Sequence, residues 1–332
     1  MMGRIAIFGF GRIGRQLLRI ALKENLFVPL SISDIKDENT LAALFEVDTN
    51  YKRWHEKVIG QEGFMIIGGR EIQYINSSKE VPNWKALDVD LVVDCTGRAF
   101  TRTAAQVHLE RGANRVLISG PSKSLDDCDA VLLKGINLDS FDPDKHKIIS
   151  MASCTTNALA VVVKLVKENF GIKYGLFSTV HSYTNSQSLT DQPMKDRRDS
   201  WAAAENIIPS SSRAARALKF IWNDLRITGK AYRVPTRTGS IAELNLVTEK
   251  SCTVQQVNDM FRSAAKGELL GVLDVLEDGW ASSRIVGDSH SSIVDLPLTQ
   301  LEGEILSVAT WYDNEWGYAS RLAEVAAFLV NK

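Results

Sequence analysis

The stretch RIAIFGFGRIGRQLLRIALKE, residues 4–24, decides the fold. RIAIF (4–8) reads as an apolar strand, and residues 12–24 put Ile13, Leu17, Leu18, Ala21 and Leu22 on one helical face. Between strand and helix, Gly9, Gly11 and Gly14 match G-x-G-x-x-G. Such spacing is weak evidence alone, but here a strand precedes it, a helix follows, and a second strand, VPLSIS (28–33), leads to Asp34. Gly9 permits the tight turn, Gly11 the close approach of a pyrophosphate, and Gly14 the packing of helix on strand. The first helical residues, Arg12 and Ile13, then offer amide N–H groups to the anion. Asp34 lies twenty residues past Gly14, where a carboxylate meets ribose hydroxyls and repels a 2′-phosphate. The cofactor indicated is NAD.

The first half continues to alternate strand and helix. DLVVDCTG (90–97) and RVLISG (115–120) have the continuous apolar character of strands buried on both faces. The helix between them, 101–113, closes at Gly112. This alternation predicts a parallel, doubly wound sheet. Thr96, Gly97 and Ser119, at the ends of these strands, are assigned to the cofactor. After residue 150 the pattern changes. TTNALAVVVKLVKENFG is a helix apolar nearly all round, and longer strand-like runs follow at 175–183, 241–249 and 304–313 with few helices between them. The expected fold class is α/β: an N-terminal Rossmann NAD-binding domain, 1–152, with a C-terminal helix, 317–332, packed on it, and an α+β domain with a mixed sheet, 153–316.

Bulk properties exclude several classes. Among 332 residues, 39 basic and 40 acidic side chains leave a net charge of −1, so no nucleic-acid partner is expected from bulk charge. The cysteines, at 95, 128, 154 and 252, form no C-x-x-C pair, and the histidines do not cluster with them, so no metal site is predicted. Cysteine usage fits a reducing cytoplasm. No signal-peptide pattern opens the sequence, and no apolar run approaches the roughly 18 residues of a membrane span.

Cys154, in SCTTN (153–157), stands where an irregular segment enters the 155–169 helix. A helix N-terminus lowers a thiol pKa, which suits a nucleophile, yet buried cysteine is also common filler. His181, after the strand-like LFSTV, is the best candidate base, although a lone histidine is equally a satisfied surface residue.

IFGFGRIGR, SCTTN, HSYTN, AAENIIP, RVPT, HSSIVD and WYDNEWGY occur in this order along almost the full length. Together they closely resemble the phosphorylating glyceraldehyde-3-phosphate dehydrogenase family. The resemblance implies that Cys154 is a nucleophile and His181 its general base, in an oxidation through a thiohemiacetal and a thioester that phosphate resolves to an acyl phosphate. It implies that Asn314 holds the nicotinamide carboxamide and that Tyr318 packs near the ring. Thr184 and Arg233 match substrate-phosphate residues, Ser153 and Thr155 the attacking-phosphate side, and Arg198 an arginine shared by the anion sites. Ser212 and Arg213 stand at the attacking-phosphate site as well. The partners implied are a phosphorylated aldehyde, inorganic phosphate and three further copies of the chain in a homotetramer, with 183–208 a loop near the cofactor and a subunit interface.

The chain departs from the family at several positions. Phe8 replaces an asparagine, Ala158 a second cysteine, and Trp201 a second arginine. Ser212–Arg213 replace Thr-Gly, Arg237–Thr238–Gly239 replace Pro-Asn-Val, and Gln192 stands where a leucine often helps to select NAD. Arg213 leaves an erythrose-4-phosphate or hydrolytic enzyme as an alternative. A binding or regulatory protein on the same fold is another, although Cys154, His181 and Asn314 are all intact.

Overall fold

The computed structural model describes residues 3–332. The chain forms two compact units, one made of the residues up to Ala152 together with Ala319–Lys332, the other of Ser153–Tyr318.

In the first unit Ile5–Phe8 lies at the centre of a nine-stranded sheet, with Leu91–Asp94 on one side and Ser31–Asp34 on the other. Ile5, Ala6, Ile7, Val92, Val93 and Leu117 are wholly buried, as strands covered on both faces require. The sheet is not parallel throughout, as the alternation predicts. Seven strands pair in parallel, but Arg70–Asn76, Phe64–Ile67 and Val58–Gln61 close one edge as an antiparallel meander. Its turns are Glu62–Gly63 and Gly68–Gly69, all at positive φ, which is the primed hairpin geometry that matches strand twist. The second strand also starts later than VPLSIS suggests, at Ser31, because Pro29 has no N–H to place in a ladder.

The helix Arg12–Lys23 follows the glycine turn. Gly9 has φ +92°, and a Cβ on Gly14 would run into the Gly9 carbonyl, so both glycines are required by the turn and by close packing. Much of the polar side of this helix is buried too: the half-buried Arg12 and the buried Gln16 and Arg19 hold the 45–54 segment. Asp48, 4% exposed, accepts from Arg12 at 2.6 Å, from Gln16 at 3.0 Å and from the Asn50 and Tyr51 amides. Arg19 donates to the carbonyls of Phe45 and Lys52.

The second unit is built on an eight-stranded mixed sheet, in agreement with the sequence reading. Tyr174–Ser182 pairs in parallel with Ile227–Val234 and antiparallel with Ser240–Val247, which in turn pairs with Ile305–Tyr312. Cys154–Phe170 packs against this sheet and against the helices Ala214–Ile221 and Val254–Lys266, with Thr155 to Val163 all buried, which explains why it is apolar nearly all round. A Ser153–Thr156 capping box starts it, and Gly171 at φ +70° ends it. The opposite sheet face leaves Tyr174, Leu176, Val180 and Ile305 exposed. Among the described residues no helix is long and apolar enough to cross a membrane.

Burial alone would push the Asp48 carboxyl up, but the Tyr51 amide and the Arg12 guanidinium outweigh it and hold it below the ordinary range. Such a group stabilises the fold above the unfolded carboxylate pKa of about 3.9, and that contribution disappears as pH falls through the lower folded value. Asp48→Asn is therefore expected to cost about 2–4 kcal/mol in urea unfolding at pH 7. The gap from the parent protein should narrow below about pH 4, and an equal gap at both pH values would contradict this role.

Candidate active site

In the first unit a cavity of about 340 Å³ opens over the glycine turn. Gly9, Gly11, Asp34 and Thr96 line it together, as expected of cofactor residues. A Cβ on Gly11 would meet no protein atom within 4 Å, so packing does not demand a glycine there, whereas close approach of a ligand to the backbone does. The Asp34 carboxylate accepts from the Phe10 amide at 2.6 Å and the Ile35 amide at 2.7 Å, tying the glycine turn to the second strand. Each oxygen keeps acceptor capacity for a ribose hydroxyl. Arg12, Ile13, Gly14, Gly97 and Ser119 do not line the cavity. Arg12 is paired with Asp48, Gly97 shapes the turn after Leu91–Asp94 at φ +70°, and the Ser119 amide donates to the Asp94 carbonyl.

In the second unit Cys154 is the first residue of its helix, not the residue before it, and its Sγ lies 3.4 Å from His181 Nε2. His181 Nδ1 lies 2.7 Å from the Ser182 carbonyl, which can only accept. Nδ1 therefore carries the proton, and the Nε2 lone pair faces the thiol. His181 is opposite Arg233 in the parallel register, and the Arg233 guanidinium reaches the same Ser182 carbonyl at 3.4 Å.

Its place at a helix N-terminus does not give Cys154 the lowered pKa expected of it. Burial pushes the Cys154 thiol up, opposed by the charge of Arg233. Burial also pushes the His181 imidazole down, to about 3, and Arg233 adds to that shift. Neither group gains by ionising alone. At 3.4 Å Nε2 is placed to take the thiol proton, while both shifts favour the neutral thiol and imidazole before a substrate arrives.

Asn314 is 6% exposed, and its Oδ1 accepts from Ser182 Oγ at 2.8 Å, Ser240 Oγ at 3.1 Å and the Gly239 amide at 3.2 Å. With Oδ1 saturated, the amide NH2 is the end available to a ligand carbonyl. Gly239, a departure from the family pattern, thus serves to hold Asn314, while the single hydroxyl proton of Thr238 goes to the neighbouring Asp313 Oδ1 at 3.0 Å. Tyr318 is 5% exposed.

The anion-site residues are less unified. Ser153 is the helix cap, with Oγ accepting from the Thr156 amide, and Thr155 is buried with its hydroxyl 3.0 Å from Tyr312 Oη. Thr184 Oγ1 lies 2.9 Å from Ser186 Oγ. Arg198 is exposed on the turn Arg197–Ser200, its amide held by Asp196, and among the described residues no hydrogen bond joins it to Cys154 or His181. Ser212 Oγ accepts from the Ala214 amide, and Arg213 is the exposed residue at the start of the Ala214–Ile221 helix.

Two residues of WYDNEWGY escape a reading by motif. Tyr312 bridges Thr155 and Thr179, at 3.0 and 2.8 Å, with its ring edge-on to His181 at 6.0 Å. Asp313 accepts from the amides of Gly287, Glu315 and Trp316. A buried tyrosine needs a polar partner, but no local spacing says which.

The family model for the glyceraldehyde 3-phosphate dehydrogenase NAD binding domain matches residues 3–102, and that for the C-terminal domain of the same family matches residues 153–314. Glyceraldehyde-3-phosphate dehydrogenase of Kitasatospora aureofaciens is 41% identical over 333 residues, covering 99% of each chain. That of Geobacillus stearothermophilus is 40% identical, over 100% of this chain and 99% of its own. Glyceraldehyde-3-phosphate dehydrogenase 2 of Bacillus subtilis is 38% identical, over 98% and 96%.

Cys95 is pushed up to about 12 by burial and Cys128 is buried and shifted the same way, so Cys154, partly open and beside a base, should be the thiol alkylated first. His181→Asn is expected to slow iodoacetamide modification of Cys154 at pH 7 by about tenfold, followed by mass spectrometry of the modified peptide. An unchanged rate would mean that Nε2 does not take the thiol proton.

Proposed function

This chain belongs to the glyceraldehyde-3-phosphate dehydrogenase family, and we propose that it oxidises glyceraldehyde 3-phosphate to 1,3-bisphosphoglycerate with NAD and inorganic phosphate. The contact of Cys154 Sγ with an unprotonated His181 Nε2 carries the reading.

His181 takes the thiol proton as the sulfur of Cys154 adds to the aldehyde carbon, then returns it to the developing alkoxide, giving a thiohemiacetal. The residues of the cradle fit NAD, by the unfilled approach at Gly11 and the carboxylate of Asp34, and NAD when bound supplies the hydride acceptor. As the hydride leaves the thiohemiacetal carbon, His181 accepts the hydroxyl proton and a thioester remains on Cys154. Phosphate attacks the thioester carbonyl, the C–S bond breaks, and the acyl phosphate departs with Cys154 restored. With NAD bound, Asn314, its Oδ1 anchored, would donate from its NH2 to the nicotinamide carboxamide, and Tyr318 would stand near the ring. Arg233 and Thr184 receive the substrate phosphate. Ser153, Thr155, Arg198, Ser212 and Arg213 serve the attacking phosphate, with Arg213 acting through its guanidinium fork where the family has glycine.

The domains in this reading are 1–152 with the helix 317–332 for NAD, and 153–316 for catalysis. The protein acts in the cytoplasm, a reading supported by its four unpaired cysteines. It works as a homotetramer, which the exposed apolar face of Tyr174, Leu176, Val180 and Ile305 supports. Light scattering should give a mass of four chains, and a monomer would refute the assembly.

NADH formation from glyceraldehyde 3-phosphate should require phosphate and be abolished by Cys154→Ala. Turnover that needs Cys154 but ignores phosphate would overturn the phosphorylating reading. Asp34→Ala should raise the NAD KM by about tenfold or more, and an unchanged KM would remove Asp34 from the cofactor site.

A further inference from the structure

Behind the glycine turn of the first unit runs a buried chain of hydrogen bonds that the reaction does not use. The Trp84 indole N–H donates to His108 Nδ1 at 3.0 Å, and His108 Nε2 lies 3.1 Å from Asp94 Oδ2. Asp94 Oδ1 accepts from the amide of Thr96 at 2.9 Å and from its hydroxyl at 2.6 Å. Trp84, His108 and Asp94 are 0, 2 and 3% exposed, so the two bonds that join them compete little with water, while the Asp94–Thr96 bonds are half-buried and Asp94, His108 and Thr96 all line the cavity.

The order of donors is forced. An indole N–H can only donate, so Nδ1 accepts and the proton of a neutral imidazole stands on Nε2, directed at the carboxylate. Asp94 Oδ2 is thereby satisfied, and Oδ1 is left to clamp Thr96 twice. Thr96 is the wall opposite the glycine turn: a Cβ on Gly9 would lie 2.7 Å from its amide nitrogen, and both residues line the cavity. Phe8, standing where the family has asparagine, packs edge-on to His108 at 4.7 Å and to Trp84 at 6.0 Å. Its ring offers no hydrogen bond to the relay, so the relay has a single direction.

We propose that His108 is a positioning residue for NAD: locked by Trp84 in its Nε2–H form, it orients Asp94, and Asp94 sets the Thr96 wall of the cofactor cavity. The proposal rests on the NAD-dependent reading above. It concerns affinity for the cofactor and not the thiol chemistry, since every group of the relay lies in the first unit.

The test compares His108→Phe, which keeps an aromatic ring beside Phe8 and removes the donor, with His108→Gln, whose amide nitrogen reaches about where Nε2 stands. NAD binding is measured directly by calorimetry, beside the NAD KM and kcat. Removing one buried donor to a carboxylate should weaken NAD binding about tenfold in the Phe variant and raise KM in step, with kcat at saturating NAD changed less than about twofold. The Gln variant should recover to within about threefold of the parent. NAD affinity unchanged in His108→Phe, no rescue by Gln, or kcat falling in step with the rise in KM would each overturn the positioning role. If the Phe variant does not fold, Trp84→Phe carries the test: about threefold weaker NAD binding is expected, and unchanged binding overturns the relay. Failure of the parent protein itself to bind NAD would instead refute the dehydrogenase reading.

Discussion

The parallel pairing of Tyr174–Ser182 with Ile227–Val234 is the constraint on which the catalytic chemistry depends. It sets His181 opposite Arg233, while the strand's period of two turns His181, Thr179 and Phe177 inward and Val180, Leu176 and Tyr174 outward. A slip of one residue would turn His181 to the exposed face and leave Cys154 with no base. The same strand ends at Ser182, whose carbonyl fixes the imidazole tautomer and whose hydroxyl holds Asn314. One backbone register thus positions the base, a nearby cation and the amide with the free donor end.

A second regularity runs through both units. Groups with a functional end are held by saturating the other end. Asn314 Oδ1 takes three donors and keeps its NH2. Asp34 is pinned by the Phe10 and Ile35 amides and keeps acceptor capacity on each oxygen. In a buried site this costs little reorganisation on ligand binding, because the polar groups are already oriented. The departures from the family pattern follow the same logic. Gly239 supplies one of the three donors to Asn314 and, at φ +88°, is needed for the turn that brings its amide there, while Thr238 holds Asp313. Phe8 exchanges a polar side chain for ring contacts with His108 and Trp84.

The reach of local pattern differs between the two units. The glycine turn, its flanking strand and helix, and Asp34 were legible because each is set by backbone geometry within about thirty residues. The antiparallel meander at 58–76 was missed although Glu62–Gly63 and Gly68–Gly69 announced its turns, since short strands with exposed alternate residues carry a weak periodicity signal. Cys154 and His181 were legible as candidates by residue type and by motif, but their 3.4 Å contact was not, and neither was the upward push of burial on the thiol.

By itself the sequence determined the class of fold, the nucleotide cradle and the candidates for the reactive side chains, because these depend on residue type at short spacing. Only the tertiary structure decided which groups face one another. Tyr312 lies between Thr155 and Thr179, 157 and 133 residues away in the chain, and the Trp84–His108–Asp94 relay spans 24 residues with no motif to mark it. Burial and the direction of a proton are properties of that enclosure: they follow from which donors and acceptors are brought within 3 Å or so and shut off from water.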